Sequence, residues 1–231
     1  MASRRVTLTF DNGPTPGVTD HVLDQLAERG IRSTFFVIGE LLRDPAGRAL
    51  AERAAAEGHW IGNHTLTHTV QFGEASAQFA ASEIDGAQAE IGPLAHPEKL
   101  FRPFAGGGVL SPAVFSRAAV RHLQDGEFTC VLWNCVPQDW LNITGWPAVA
   151  LEHIARQDWT VIVVHDEAHG AMGALPRFLD ALQAADVEVR QDFPDSVVPI
   201  RRGQQATSLE ALTSDDAGAS EISSTQGGSA E

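Results

Sequence analysis

Residues 5–38, RVTLTFDNGPTPGVTDHVLDQLAERGIRSTFFVI, decide the fold class. The run RVTLTF at 5–10 reads as a strand. Asn12, Gly13 and Pro14 then turn the chain sharply. A helix reads over 18–29 and is closed by Gly30. RSTFFVI at 32–38 reads as the next strand. Strand, helix and strand in succession form the unit of a parallel sheet covered by helices. Strand runs such as TFFVI and TVIVV are apolar throughout, as required where both faces are buried.

The same alternation continues outward. An Ala-rich helix is expected over 46–57, closed by Gly58, then a short strand from His59 to Asn63. A long helix is expected over 74–91, a strand at 99–104, a helix at 111–124 and a strand at 128–135. A helix over 146–157, a strand at 159–164, a helix over 172–185 and a strand near 187–190 complete the pattern. The expected class is α/β, as a distorted (β/α) barrel of about seven units. From Gly203 onward Gln, Ser, Thr, Gly, Ala and acids dominate. Such a composition buries too little apolar surface to order itself. The expected organisation is therefore one domain over 1–200 and a disordered acidic tail over 201–231.

Composition narrows the partners. The chain has 231 residues, 43% of them hydrophobic, and a net charge of −14. An acidic protein does not attract phosphate backbones, so no nucleic-acid partner is expected. No run approaches the roughly 18 apolar residues of a membrane span. The N-terminal residues MASRRVTLTF lack the apolar core of a signal peptide. A cytoplasmic protein without a membrane partner is the expectation; oligomeric state is left open. Cys130 and Cys135, the two cysteines, are five apart in a strand-like run. That separation puts them on opposite faces, as two buried thiols rather than a disulfide.

Chemistry-bearing residues gather just after the strand ends. Asp11 follows the first strand and His64 the third, while Arg102, Asp139 and His165 follow later ones. In a barrel these ends share one rim. His64 and His68 stand four apart, and on a helical turn they would project from one face and grip one divalent cation. Imidazole suits several such cations. His165 at the end of a buried strand suits a general acid, and Arg102 can fix a carboxylate through its forked donors. Trp133, Trp140 and Trp146 are candidates for a pocket wall, with core packing as the alternative.

Together these segments resemble the polysaccharide deacetylase family, the NodB-homology domain of carbohydrate esterases. TFDNGP at 9–14 is similar to the family's TFDDGP, and His64–His68 to H-[ST]-x-x-H. FRPFAG at 101–106 is similar to FRPPYG, WNCVPQDW at 133–140 to WDVDPxDW, and VIVVHD at 161–166 to the final histidine strand. The resemblance implies that water, activated by Asp11, attacks an N-acyl carbonyl polarised by a metal. It implies His64, His68 and position 12 as metal ligands, His165 as the acid and Arg102 as the group orienting Asp11. It places Phe104, Ala105 and Trp140 at the substrate, with backbone N–H groups near Phe104 and Ala105 facing the oxyanion.

Three segments depart from the pattern. Asn12 replaces the metal-binding aspartate, so the cation, with zinc expected first and cobalt, nickel or manganese as alternatives, should be held more weakly. Val136 replaces an aspartate expected to support the catalytic histidine, so the pKa of His165 should be lower than in relatives, with Asp166 or Asp139 as the groups that could compensate. Phe104-Ala105 replaces Pro-Tyr. The expected function is a metal-assisted hydrolase of non-peptide carbon–nitrogen bonds, acting on a small N-acylated or amide substrate. The alternatives are a metal-independent cyclic-amide hydrolase and a catalytically silent, ligand-binding barrel.

Overall fold

The computed structural model describes residues 4–215. In chain order the elements are β1 (Arg5–Asp11), α1 (Thr19–Glu28), β2 (Thr34–Val37), α2 (Pro45–Ala56), β3 (Trp60–Asn63) and α3 (Ala77–Ile91). They continue with β4 (Leu100–Phe101), β5 (Phe115–Ser116), α4 (Arg117–Asp125), β6 (Thr129–Cys130), α5 (Trp146–Arg156) and β7 (Trp159–His165). The last are α6 (Leu175–Ala184), β8 (Glu188–Arg190), β9 (Ile200–Arg201), β10 (Gln204–Gln205) and β11 (Thr213–Ser214).

The main sheet has nine strands in the order β10-β9-β6-β4-β3-β2-β1-β7, with β8 beside β1. β1, β2, β3, β4 and β6 pair in parallel, and β7 runs parallel to β1 along seven residue pairs, Arg5↔Trp159 to Asp11↔His165. The curl closes where the chain beyond β6 reaches β7. Cys135 bridges Ile162, with Cys135 N–H donating to Val161 O at 3.1 Å and Val163 N–H donating to Cys135 O at 3.0 Å. The result is the distorted α/β barrel expected from the alternation.

Alternation along β1 sorts its side chains. Val6, Leu8 and Phe10 pack outward with Leu23 of α1, Ala54 of α2 and Phe178 of α6. Thr7, Thr9 and Asp11 therefore face the barrel interior, as the period of two requires. A second core joins Ala80 and Ile84 of α3, Leu123 of α4, Phe101 and Cys130. Cys130 and Cys135 are buried, unpaired and in different cores, and burial pushes both thiols up to about 12.

Helix starts follow their caps. Asp44 accepts from Ala46 N–H ahead of Pro45, and Ser76 accepts from Phe79 N–H. Ser116 accepts from Ala119 N–H, which explains why the fourth helix begins at Arg117 and not at 111. Two expected strands are shorter than read. β4 keeps two residues because, after Arg102 N–H donates to Asn63 O at 2.9 Å, Pro103 and Phe104 leave the ladder to line a cavity. β6 keeps two because the segment after it switches partners, from Phe101 O to Val197 O to Val161 O.

The tail is a correction. Residues 201–215, expected to begin a disordered segment, form β9–β10 pairing and a β11 strand parallel to β5. Leu209 is buried in the second core. The composition is polar, but one well-placed leucine and the free edge of β5 give this stretch a docking surface that composition does not reveal. The remainder of the expected tail, 216–231, lies outside the described residues. Among the described residues no helix is long and apolar enough to cross a membrane.

Candidate active site

The strand ends of β1, β3 and β7 open into a cavity of about 270 Å³. Asp11, Asn12, His64, His68, Phe104, Ala105, Trp140 and His165 all line it. Of the site residues expected from sequence, Arg102 alone is absent from this lining, because it lies beneath the floor. Its side chain is fully buried. It donates from Nη1 to Asp11 Oδ1 at 2.8 Å and to Thr9 Oγ1 at 2.6 Å, from Nε to Val131 O at 3.2 Å, and from Nη2 to Leu132 O at 3.3 Å. Its guanidinium stacks on the Phe36 ring at 4.0 Å. Four of its five N–H donors are thereby used, as a buried charge requires.

Asp11 is 2% exposed. Burial pushes its carboxyl above the usual carboxylate range, while the Arg102 and His165 charges pull the other way. Its second oxygen, Oδ2, lies 3.6 Å from His64 Nε2. His64 is fixed by Nδ1–H donating to Arg102 O at 2.9 Å, which leaves Nε2 as a lone pair directed toward the cavity. Burial lowers both His64 and His68 to about 3, so both imidazoles are neutral, the form that binds a cation. Their ring centroids stand 4.7 Å apart, and His68 lies 4.2 Å from the ring of Phe104.

The histidine pair does not ride on a helix. After β3 the chain makes a turn with Thr65 and His68 at positive φ. Asn63 Oδ1 accepts from Thr65 N–H at 2.9 Å, and Thr65 Oγ1 accepts from His68 N–H at 3.0 Å. Glu83 of α3 accepts from both Thr67 N–H and Thr67 Oγ1–H. The spacing brings the two rings together as expected; side-chain caps do the work assigned to helical periodicity.

Asn12, also at positive φ, has a buried Oδ1 with no hydrogen-bond partner. A buried, unpartnered acceptor beside two neutral imidazoles fits a divalent cation held by one oxygen and two nitrogens. Behind it, a Cβ at Gly13 would meet Asp166 Oδ2 at 2.1 Å, so only glycine fits. Asp166 Oδ2 accepts from Thr19 Oγ1 at 2.5 Å, and burial pushes its carboxyl up to about 7.

At His165 the compensating acid is Asp139. Val136 lines the cavity, but the histidine keeps a carboxylate: Nδ1–H donates to Asp139 Oδ1 at 2.8 Å and N–H donates to Asp139 Oδ2 at 2.9 Å. Burial disfavours the imidazolium, but the hydrogen bond and charge of fully buried Asp139, together with the charges of Asp11 and Glu167, outweigh it, and the pKa is raised above its ordinary value. Trp140 meets His165 edge-on at 5.0 Å. Trp133 lines the cavity and donates to Gly108 O at 3.1 Å, whereas Trp146 is core, fully buried and bonded to Ala171 O.

Two residues escaped the sequence reading. Glu83 anchors the histidine turn, as described. His169 Nδ1 accepts from Ala171 N–H at 3.3 Å, and its Nε2 lies 3.7 Å from Asp139 Oδ2. Asp139, His165 and His169 thus form a second group able to hold a metal ion, with one ligand atom each within 4.8 Å of the others. The only sequence signal for it is the spacing of His169, four residues past His165.

The polysaccharide deacetylase family model matches residues 1–119. A peptidoglycan-N-acetylglucosamine deacetylase of Bacillus cereus is 30% identical over 77% of this chain and 81% of its own length. A chitooligosaccharide deacetylase of Rhizobium leguminosarum is 31% identical over 71% of this chain and 72% of its own. The structure of a family 4 acetyl xylan esterase from Clostridium thermocellum, in complex with a cobalt ion, superposes with a TM-score of 0.67 at 25% identity, covering 81% of this chain and 88% of that one.

Proposed function

This chain belongs to the polysaccharide deacetylase family, hydrolases of non-peptide carbon–nitrogen bonds, and we propose that Asp11, His165 and a cation held by Asn12, His64 and His68 perform that hydrolysis here. The convergence of all five side chains on one cavity carries the reading. The similarity to deacetylases and to a cobalt-bound esterase supports a small N-acetylated substrate and a divalent metal, zinc or cobalt first.

A cation in that position supplies Lewis acidity, polarising the acyl oxygen and making water more acidic. Asp11 accepts the proton of the attacking water, and Arg102 keeps its carboxylate aimed and opposes the rise in pKa that burial imposes. The backbone N–H groups of Phe104 and Ala105, which line the same cavity, are the donors this reading assigns to the developing oxyanion. His165, held by Asp139 through Nδ1, delivers the Nε2 proton to the departing amine nitrogen. Acid and base are thus separate groups, and each has its own fixed partner.

The test is acetate release from N-acetylated sugars and amines by protein supplied with zinc or cobalt. Turnover abolished by Asp11→Ala in a folded protein supports the reading; no turnover on any such amide ends it. The neutral amide of Asn12 favours a second reading, hydrolysis without a metal, and activity that survives thorough chelation would decide for it.

A further inference from the structure

Among the described residues the exposed large hydrophobic side chains are Val70, Val109, Leu141 and Ile143. Scattered exposed hydrophobics need no explanation, but these are not scattered. Val70 follows the His64–His68 turn, Val109 directly follows Gly108, and Leu141 and Ile143 follow Trp140; His68, Gly108 and Trp140 all line the cavity. Leu141 is 71% exposed and Val109 60%, so neither belongs to a core. Exposed apolar surface gathered around one site marks something that binds there.

The lining agrees. Val136 and Val163 stand in it beside Pro103, Phe104, Trp133 and Trp140. Once Asp11, Asn12, His64, His68 and His165 are assigned to the reaction, one charged side chain remains in the wall, Glu167. Several polar groups on the same loops are already engaged. Gln71 Oε1 accepts from Gly106 N–H, Asn142 Oδ1 from Gly145 N–H, and Thr67 Oγ1–H donates to Glu83. A sugar strand brings several hydroxyls per ring, and hydroxyls set against valine, leucine and isoleucine side chains lose water bonds that those side chains cannot replace.

We propose that this rim selects an N-acylated amine whose amine side carries an alkyl or aryl group. The acyl group sits in the cavity, and the apolar group lies across Val109, Leu141 and Ile143. The occupant is the substrate's own extension, because Val109 and Leu141 each directly follow a lining residue, Gly108 and Trp140, and Ile143 stands three past Trp140. This rests on the hydrolase reading above and names the substrate class for the same cavity.

The experiment compares kcat/KM for N-acetylbenzylamine, N-acetylhexylamine, N-acetylglucosamine and diacetylchitobiose, using the full chain loaded with zinc or cobalt. The expected result is at least a tenfold preference for the two apolar amides. In the double variant Val109→Ser/Leu141→Ser, or in Ile143→Ser where that one folds poorly, the preference falls several-fold through KM. Equal or better turnover of the sugars overturns this proposal and leaves the hydrolase reading intact. No turnover of any of the four ends both. A dimer in solution that Leu141→Asp dissociates assigns the patch to a second copy of the chain and likewise overturns it.

Discussion

His165 and Asp139 are joined twice, by the imidazole Nδ1–H to Oδ1 at 2.8 Å and by the backbone N–H of His165 to Oδ2 at 2.9 Å. The double bond fixes the tautomer, the ring plane and the strand end at once. The proton available for chemistry is the one on Nε2.

Asp139→Asn keeps the shape and removes the charge that holds the His165 pKa above its usual value. The acid works while protonated, so activity is lost as pH rises through that raised pKa. The variant should lose its activity at a lower pH and drop in kcat by roughly 100-fold or more. A pH–rate profile of both proteins checks it; an unmoved alkaline limb would assign the limb to another group.

Arg102→Met leaves the Asp11 carboxylate buried without its partner. Breaking a buried pair from one side costs about 3–5 kcal/mol, so the melting temperature should fall sharply. Arg102→Lys restores the charge but not the forked donors and should recover only part of the loss. Thermal unfolding of the two variants in parallel measures this.

His59 sits in the core, with Nδ1 accepting from Ser33 N–H at 3.0 Å. Burial lowers its pKa from 6.5 to about 4. A group depressed in the folded state and normal in the unfolded one contributes stability above pH 6.5 and loses it as pH falls toward 4. Urea midpoints should therefore fall across that window in the parent protein, and less so in His59→Asn.

Leu209, in a stretch of polar composition, is buried in the second core. Leu209→Ala should cost about 2–5 kcal/mol, as for a core leucine. Deleting everything from Gln204 onward should cost at least as much, because β10 and β11 go with it. A melting temperature unchanged by either would mean that the stretch does not dock.

How much of this was legible depends on how local the cause is. Asp11 is legible because a strand of alternating apolar and polar residues ends in a Gly-Pro turn, and both signals lie within a few residues. His64 and His68 are legible by spacing, although the cause is a capped turn held by Glu83, which reaches them from another element. Arg102 reads equally well as a rim charge or a surface charge. Its place at the barrel centre depends on Phe36, Thr9 and Val131, which only the closed sheet brings together. Asp139 was visible as an acid, but its bond to His165 spans a helix and a strand. The ordering of 201–215 was not legible at all, because it is the edge of β5 that makes room for it.

The most direct test of the account is anomalous diffraction from crystals grown with zinc or cobalt, for the parent and for Asn12→Asp. The predicted result is a single strong peak bonded to His64 Nε2, the His68 ring and the side-chain oxygen of residue 12. In Asn12→Asp the added negative charge should tighten the cation roughly tenfold or more, worth about 1.4 kcal/mol. A peak among Asp139, His165 and His169 instead, or none beside His64 at saturating metal, would contradict it.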